Sequence, residues 1–172
     1  MTEPLYYTTH RAAIGELLIV GTARGVRYLT LLADGADVAA HLTKKFGNGV
    51  TRLDGFFATA TTAIDRYLTE GSRLRLPFDL DGGTPLQRMV WLEIARIPYG
   101  ETISYTTLAE RVGFPRAVRA VASACGANPV PLLIPCHRVL AKDGTLGGFS
   151  LGGLETKEYL LLLESQKAAV AA

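Results

Sequence analysis

The chain has 172 residues, 48% hydrophobic and 20% charged, a composition that excludes wholesale disorder and leaves room for one domain or two small ones. No apolar run approaches the ~18 residues that a membrane helix requires. The net charge is +2, with nine Lys/Arg against eight Asp/Glu in residues 1–80 and again in residues 81–172, so neither half stands out by its charge.

Residues 5–32 read as strands. Leu17–Val20 and Val26–Leu32 are apolar and β-rich, and the Gly-bounded stretch from Gly21 to Gly25 between them predicts a hairpin. Residues 37–46 and 54–70 read as helices. In the second, Phe57, Ala60, Ala63, Ile64, Tyr67 and Leu68 recur at helical spacing, and Gly71 follows as a stop. Asp37 and His41 fall on a solvated helix face, and no chemistry-bearing cluster precedes residue 80. Residues 76–83 have the composition of a linker, which puts a domain boundary there. Thr84-Pro-Leu-Gln87 is a capping box with proline at the first helical position, and the helix it opens stops at Pro98-Tyr-Gly100.

Ser104 caps a short helix that runs to Val112, Gly113-Phe-Pro115 makes a tight turn, and a second helix is expected from Arg116 to Cys125. Two short helices across a Gly-containing turn make the helix-turn-helix pattern. In the second, Val118, Val121, Ala122 and Cys125 share one face, opposite Arg116, Arg119 and Ser123, so Cys125 reads as structural. Between Glu110 and Asp143 lie five cations (Arg111, Arg116, Arg119, Arg138, Lys142) and no acid, a modest footprint for phosphate. The same window holds Asn128-Pro-Val-Pro-Leu-Leu-Ile-Pro-Cys-His-Arg-Val139. Its prolines stiffen the backbone up to Cys136, with an imidazole and a guanidinium following at once. A thiol with basic or cationic neighbours has the makings of a nucleophile, because the thiolate is the reactive form. Val139–Leu146 reads as a hairpin, or wing, turning at Asp143-Gly144. Gly147–Gly153 reads as a flexible loop and Leu154–Gln166 as a closing helix, with residues 167–172 expected to fray.

The Pro-Cys-His-Arg-Val motif after Asn-Pro-x-Pro, the helix-turn-helix with Arg-Ala-Val, and the Gly-Phe-Ser loop followed by Lys-Glu-Tyr-Leu-Leu resemble the O6-alkylguanine-DNA alkyltransferase family over residues 84–166. The resemblance implies an α/β (α+β) chain: an N-terminal ribonuclease-H-like α/β domain, residues 1–80, then a winged helix-turn-helix-like domain, residues 84–167, for DNA binding and alkyl acceptance. It implies a single-turnover transfer in which Cys136 takes the alkyl group from O6 of guanine, with O4-alkylthymine a second candidate substrate. His137 is then the base, acting through a water and oriented by Glu164, while Asn128 braces the cysteine turn. Tyr105, Val139, Phe149 and Ser150 are the implied substrate contacts. Arg116, Arg119, Ser123 and Arg138 are the implied DNA contacts, with Arg119 as the finger that fills the stack vacated by a flipped base. Flipping itself is required by the chemistry, since a stacked base cannot present its alkyl carbon to a thiolate.

The sequence departs from that pattern by one extra residue, Leu151, between Ser150 and Gly152. The two cysteines form no CxxC, the three histidines no HxxxH, and the N-terminal half has no cysteine, so no metal or cofactor is expected. The expected partner is double-stranded DNA bearing alkylated guanine, with no membrane, and the protein is expected to act as a monomer. The N-terminus lacks the basic and apolar pattern of a signal peptide, so the expected compartment is the reducing cytoplasm. Two rivals stay open: a winged-helix regulator, which leaves the Pro-braced Cys-His unexplained, and a cysteine hydrolase, which leaves the helix-turn-helix unexplained.

Overall fold

The structure is a computed structural model that describes residues 3–171. It forms two compact units, the first ending at Asp79 and the second beginning at Leu80. The class is α+β.

In the first unit, β1 (Leu5–Ala12), β2 (Gly15–Thr22) and β3 (Gly25–Leu31) pair antiparallel in sequence, and β4 (Val50–Arg52) adds parallel to β1, giving the order β3-β2-β1-β4. Leu17 to Val20 of β2 are all fully buried, the mark of a central strand covered on both faces. Helix α1 (Val38–Phe46) lays Leu42 on Leu18 and Val20. The Asp37 side chain caps α1 by accepting from the Ala40 amide at 3.0 Å, so it does more than face solvent. His41 Nε2 lies 3.1 Å from the Tyr28 hydroxyl. Helix α2 (Ala58–Glu70) begins four residues later than its apolar spacing suggests, because a 3₁₀ turn (Asp54–Phe57) precedes it. It ends as expected on left-handed Gly71. The first half of the expected linker belongs to this unit. Phe78 bridges Val26, and buried Asp79 bonds Thr22 at 2.8 Å and Arg27 at 2.5 Å.

In the second unit, α3 (Pro85–Ile94) carries the full capping box. Ser104 caps α4 (Tyr105–Arg111) through the Thr107 amide. Helix α5 spans Val118–Gly126 and is tied to α3 by the Trp91 indole, which donates to the Ala124 carbonyl at 2.8 Å. Arg116 precedes α5 in the turn, because Ala117 keeps a non-helical backbone and donates back to Phe114. Val90, Ile94, Leu108, Val121, Val130, Ile134, Val139, Leu151 and Leu160 are fully buried and form the core.

The wing is not formed. Strand β6 (Val139–Leu140) pairs in parallel with β5 (Ile103–Ser104), and among the described residues no strand returns antiparallel to it, although the turn expected at Asp143-Gly144 forms, closed by the Ala141 amide on the Thr145 carbonyl at 2.9 Å. Asp143 makes a local turn by accepting from the Thr145 amide and hydroxyl, and then Lys157 binds the carbonyls of Leu146 and Gly148 and draws the chain toward the last helix. That helix, α6 (Gly153–Ala171), continues past Gln166, so residues 167–171 are helical where fraying was expected; residue 172 lies outside the described residues. Among the described residues, no helix is long and apolar enough to cross a membrane.

Candidate active site

The segment from Asn128 to Cys136 is fixed from within. Asn128 Nδ2 donates to the Ile134 carbonyl at 2.8 Å and reaches Cys136 Sγ at 3.1 Å, while its Oδ1 accepts from the Val130 amide at 3.0 Å. One buried amide therefore ties both ends of the proline-rich loop and touches the sulfur. Pro135 sits at the centre of an inverse γ-turn (φ −79°, ψ 64°), closed by the Cys136 amide on the Ile134 carbonyl at 2.8 Å. Leu132 is held at φ 73°, a conformation that costs a non-glycine residue on the order of 1–3 kcal/mol and persists only where packing dictates it. Cys136 then opens a 3₁₀ turn (Cys136–Arg138) that puts His137 and Arg138 on the α6 side.

Helix α6 supplies two buried charged groups seven residues apart, on one stripe with Leu160. Glu164 Oε1 lies 2.8 Å from His137 Nε2, and the carboxylate also accepts from Arg138 Nε and Nη2, both at 2.9 Å, and from the Gly100 amide at 3.3 Å. Arg138 Nη1 donates to the Ile97 carbonyl at 2.7 Å. Gly100 has φ +79°, and a Cβ there would stand 2.6 Å from Ala168, so α6 approaches this turn because the residue is glycine. Lys157 is fully buried, and its ammonium donates to the carbonyls of Val139 (2.7 Å), Leu146 and Gly148 (3.4 Å).

Burial pushes the Glu164 carboxyl up, but the hydrogen bonds from His137 and Arg138 outweigh it and hold the group well below the usual carboxylate range. Burial, with the charges of Arg138 and Lys157, lowers His137 against the pull of Glu164, so the ring is neutral. A neutral imidazole that donates from Nε2 to a carboxylate carries its basic lone pair on Nδ1. Burial also raises Cys136, opposed by the Asn128 amide and the Lys157 charge. The resting group is therefore a thiol, which overturns the expectation that adjacent cations enrich the thiolate. Arg138 spends its charge on Glu164, and desolvation wins at the sulfur.

The sulfur borders a cavity of about 300 Å³ lined by Tyr105, Ala122, Cys125, Gly126, Cys136, Gly148, Phe149 and Ser150. Tyr105, from the start of α4, is pushed up to about 12 by burial and then by the two thiols, so its hydroxyl is protonated. It lies over Gly147, where a Cβ would come within 3.2 Å of its ring and oxygen. Phe149 stands edge-on to His137, with ring centroids 6.2 Å apart. On the solvent side of α5, Arg119 and Ser123 are exposed.

A family model described as the DNA-binding domain of 6-O-methylguanine DNA methyltransferase matches residues 85–166. A methylated-DNA–protein-cysteine methyltransferase of Methanosarcina barkeri is 35% identical over 165 residues, 93% of this chain and 97% of that protein. One of Mycobacterium tuberculosis is 36% identical, over 95% and 94% of the two chains. The chain belongs to the methylated-DNA–protein-cysteine methyltransferase family. The crystal structure of Mycobacterium tuberculosis OGT in complex with DNA extends the likeness to the fold of this family, with a TM-score of 0.80 at 33% identity over 94% of each chain.

Within the alkyltransferase fold, Cys136, His137, Glu164 and Asn128 come together as one connected group, and Tyr105, Phe149 and Ser150 line the cavity beside it. Two expected contacts lie elsewhere. Val139 is fully buried in β6 and does not line the cavity; its carbonyl accepts from Lys157. Arg138, expected to touch DNA, is turned inward and clamps Glu164 with two hydrogen bonds of 2.9 Å, because a buried carboxylate needs a counter-charge. Arg116 is exposed, in the turn ahead of α5. Lys157 is the group that the local reading missed. The signal was its place seven residues before Glu164, on the stripe of α6 that carries Leu160. Among the described residues, no group of three or more His, Cys, Asp or Glu side chains is placed to hold a metal ion.

Proposed function

We propose that the protein repairs DNA by moving the alkyl group of O6-alkylguanine, in a single turnover, onto the sulfur of Cys136. The observation that carries this reading is the sulfur itself: braced at 3.1 Å by Asn128, at the wall of a base-sized cavity, next to a histidine locked to a buried glutamate. A damaged base turned out of the duplex enters between Tyr105 and Phe149. His137 Nδ1, through a water, takes the thiol proton as the sulfur attacks the alkyl carbon, and Glu164 stabilises the imidazolium that forms. The C–O bond breaks, an S–C bond forms, and guanine leaves with the proton delivered through the Tyr105 hydroxyl or returned from the imidazole. Lys157, whose charge acts on Cys136, stabilises the transient thiolate. Duplex DNA lies along α5, with Arg119 filling the vacated stack and Arg116 and Ser123 on the backbone. The compartment is the cytoplasm and the working unit a monomer.

The test is to incubate the full chain with excess duplex carrying one O6-methylguanine and weigh the protein. The reading requires the gain of one methyl group per chain and no second turnover. Continued turnover without mass gain makes the protein a hydrolase, and tight sequence-selective binding without transfer makes it a regulator.

A further inference from the structure

Cys125 reads in sequence as a structural thiol, yet in the fold it borders the same cavity as Cys136. Both cysteines are free, and both are buried, at 3% and 4% exposure. They reach the cavity from different elements, α5 and the 3₁₀ turn after Pro135, and alkyl acceptance uses one of them. We propose that Cys125 and Cys136 form a two-point site for a trivalent arsenical, which bridges the two sulfurs and blocks the alkyl acceptor.

The surroundings suit such a ligand. Tyr105 and Phe149 give an organic substituent aromatic walls, and Ala122, Gly126 and Gly148 leave room between them. Burial, and then the neighbouring Cys136, pushes Cys125 up to about 12, and burial raises Cys136 as well, so both groups rest as neutral thiols. Exchange at arsenic uses thiols in that form. Each As–OH bond gives way to an As–S bond, the thiol proton leaves with the hydroxide as water, and two waters depart per bridge. Arsenic stays trivalent and nothing is oxidised. A tetrahedral zinc ion is a poorer fit, because it needs three or four ligands and, among the described residues, no third His, Cys, Asp or Glu side chain is placed to complete such a group.

The test uses the full chain and phenylarsine oxide, and its readout does not depend on alkyl transfer. Intact mass is expected to show one phenylarsenic per chain that survives washing with excess glutathione, a monothiol, and is removed by dithiothreitol. Trypsin then releases residues 120–138, which carry both cysteines, and in the treated protein neither should accept iodoacetamide. Cys125→Ser and Cys125→Ala should each lose the glutathione-resistant adduct. The treated wild type should lose alkyl acceptance and regain it with dithiothreitol. The proposal is overturned if glutathione strips the wild-type adduct, if two arsenicals bind per chain, if iodoacetamide labels one of the two cysteines, or if a folded Cys125 variant keeps the resistant adduct. A protein that never accepts an alkyl group but still holds the bridged adduct would refute the proposed function and leave the dithiol site standing.

Discussion

Glu164 joins three partners at once: the imidazole of His137, the guanidinium of Arg138 and the amide of Gly100. Glu164→Gln keeps the shape but leaves the Arg138 charge buried without its counter-charge. Removing one partner of a buried pair costs about 3 kcal/mol, which in a chain of this size lowers Tm by about 10 °C. The variant should also transfer the alkyl group more slowly, measured as a single-turnover rate at a temperature where it is folded, with duplex affinity little changed. Glu155 and Glu158 are exposed on the same helix and should tolerate the same change in both assays. Equal rates for all three variants would remove Glu164 from the chemistry.

Helix α5 is the element that separates flipping from chemistry. Arg119 is exposed on it, while Val121 and Cys125 face inward. If Arg119 fills the gap left by an extruded base, it offsets a cost of a few kcal/mol that duplex substrates alone incur. Arg119→Ala should therefore slow transfer from duplex markedly and leave the rate with free O6-methylguanine nearly unchanged. Equal slowing on both would place the arginine in the pocket or the fold. At this scale much was legible, because the signals are local: the Thr84 capping box, the Ser104 cap and the Gly71 stop all form as read. What escaped is non-local. Strand β4 is three residues whose identity as a strand comes from pairing with β1, and Val139–Leu140 is a strand because Ile103–Ser104 lies beside it. Asp143-Gly144 suggests a wing, and its turn forms, but Lys157, from a helix beyond the loop, binds the carbonyls of Leu146 and Gly148 and the chain runs on to α6 without a return strand. The cysteine motif was legible as a unit, whereas the inward turn of Arg138 depended on where α6 carries Glu164.

Across the whole molecule the charge is nearly balanced, so DNA binding must rest on the local window. Arg138 is committed to Glu164, and Arg111 lies 3.8 Å from Glu93, which leaves Arg116, Arg119 and Lys142. With Arg119 committed to the vacated stack, about two phosphate contacts give a log–log salt slope of roughly −1.8, a loss of about 12-fold between ~50 and ~200 mM salt. A flat response in a titration with undamaged duplex would show that this face does not meet DNA. The buried titratable groups set the acid and alkaline limits of stability. His137 and Glu164 are both lowered on folding, so the unfolded chain binds more protons, and Tm should fall as pH drops below ~6.5 and again below ~4.3. Cys125 and Cys136 are both raised, so the unfolded chain loses protons first, and their contribution to Tm should fall as pH rises above ~8.5, while Lys157, lowered by burial, contributes in the opposite sense as pH approaches ~10.4. Melting curves across that range should show a plateau from ~6.5 to ~8.5, and a Tm that climbed on acidification would contradict the burial of these groups.

Two thiols border one cavity, and the proposed transfer places the alkyl group on one of them. After a single turnover on methylated duplex, the tryptic fragment of residues 120–138 can be sequenced by mass to locate the methyl group. It should sit wholly on Cys136, and Cys136→Ser should gain no methyl while still binding the duplex. A methyl group on Cys125, or transfer surviving in Cys136→Ser, would contradict the central claim.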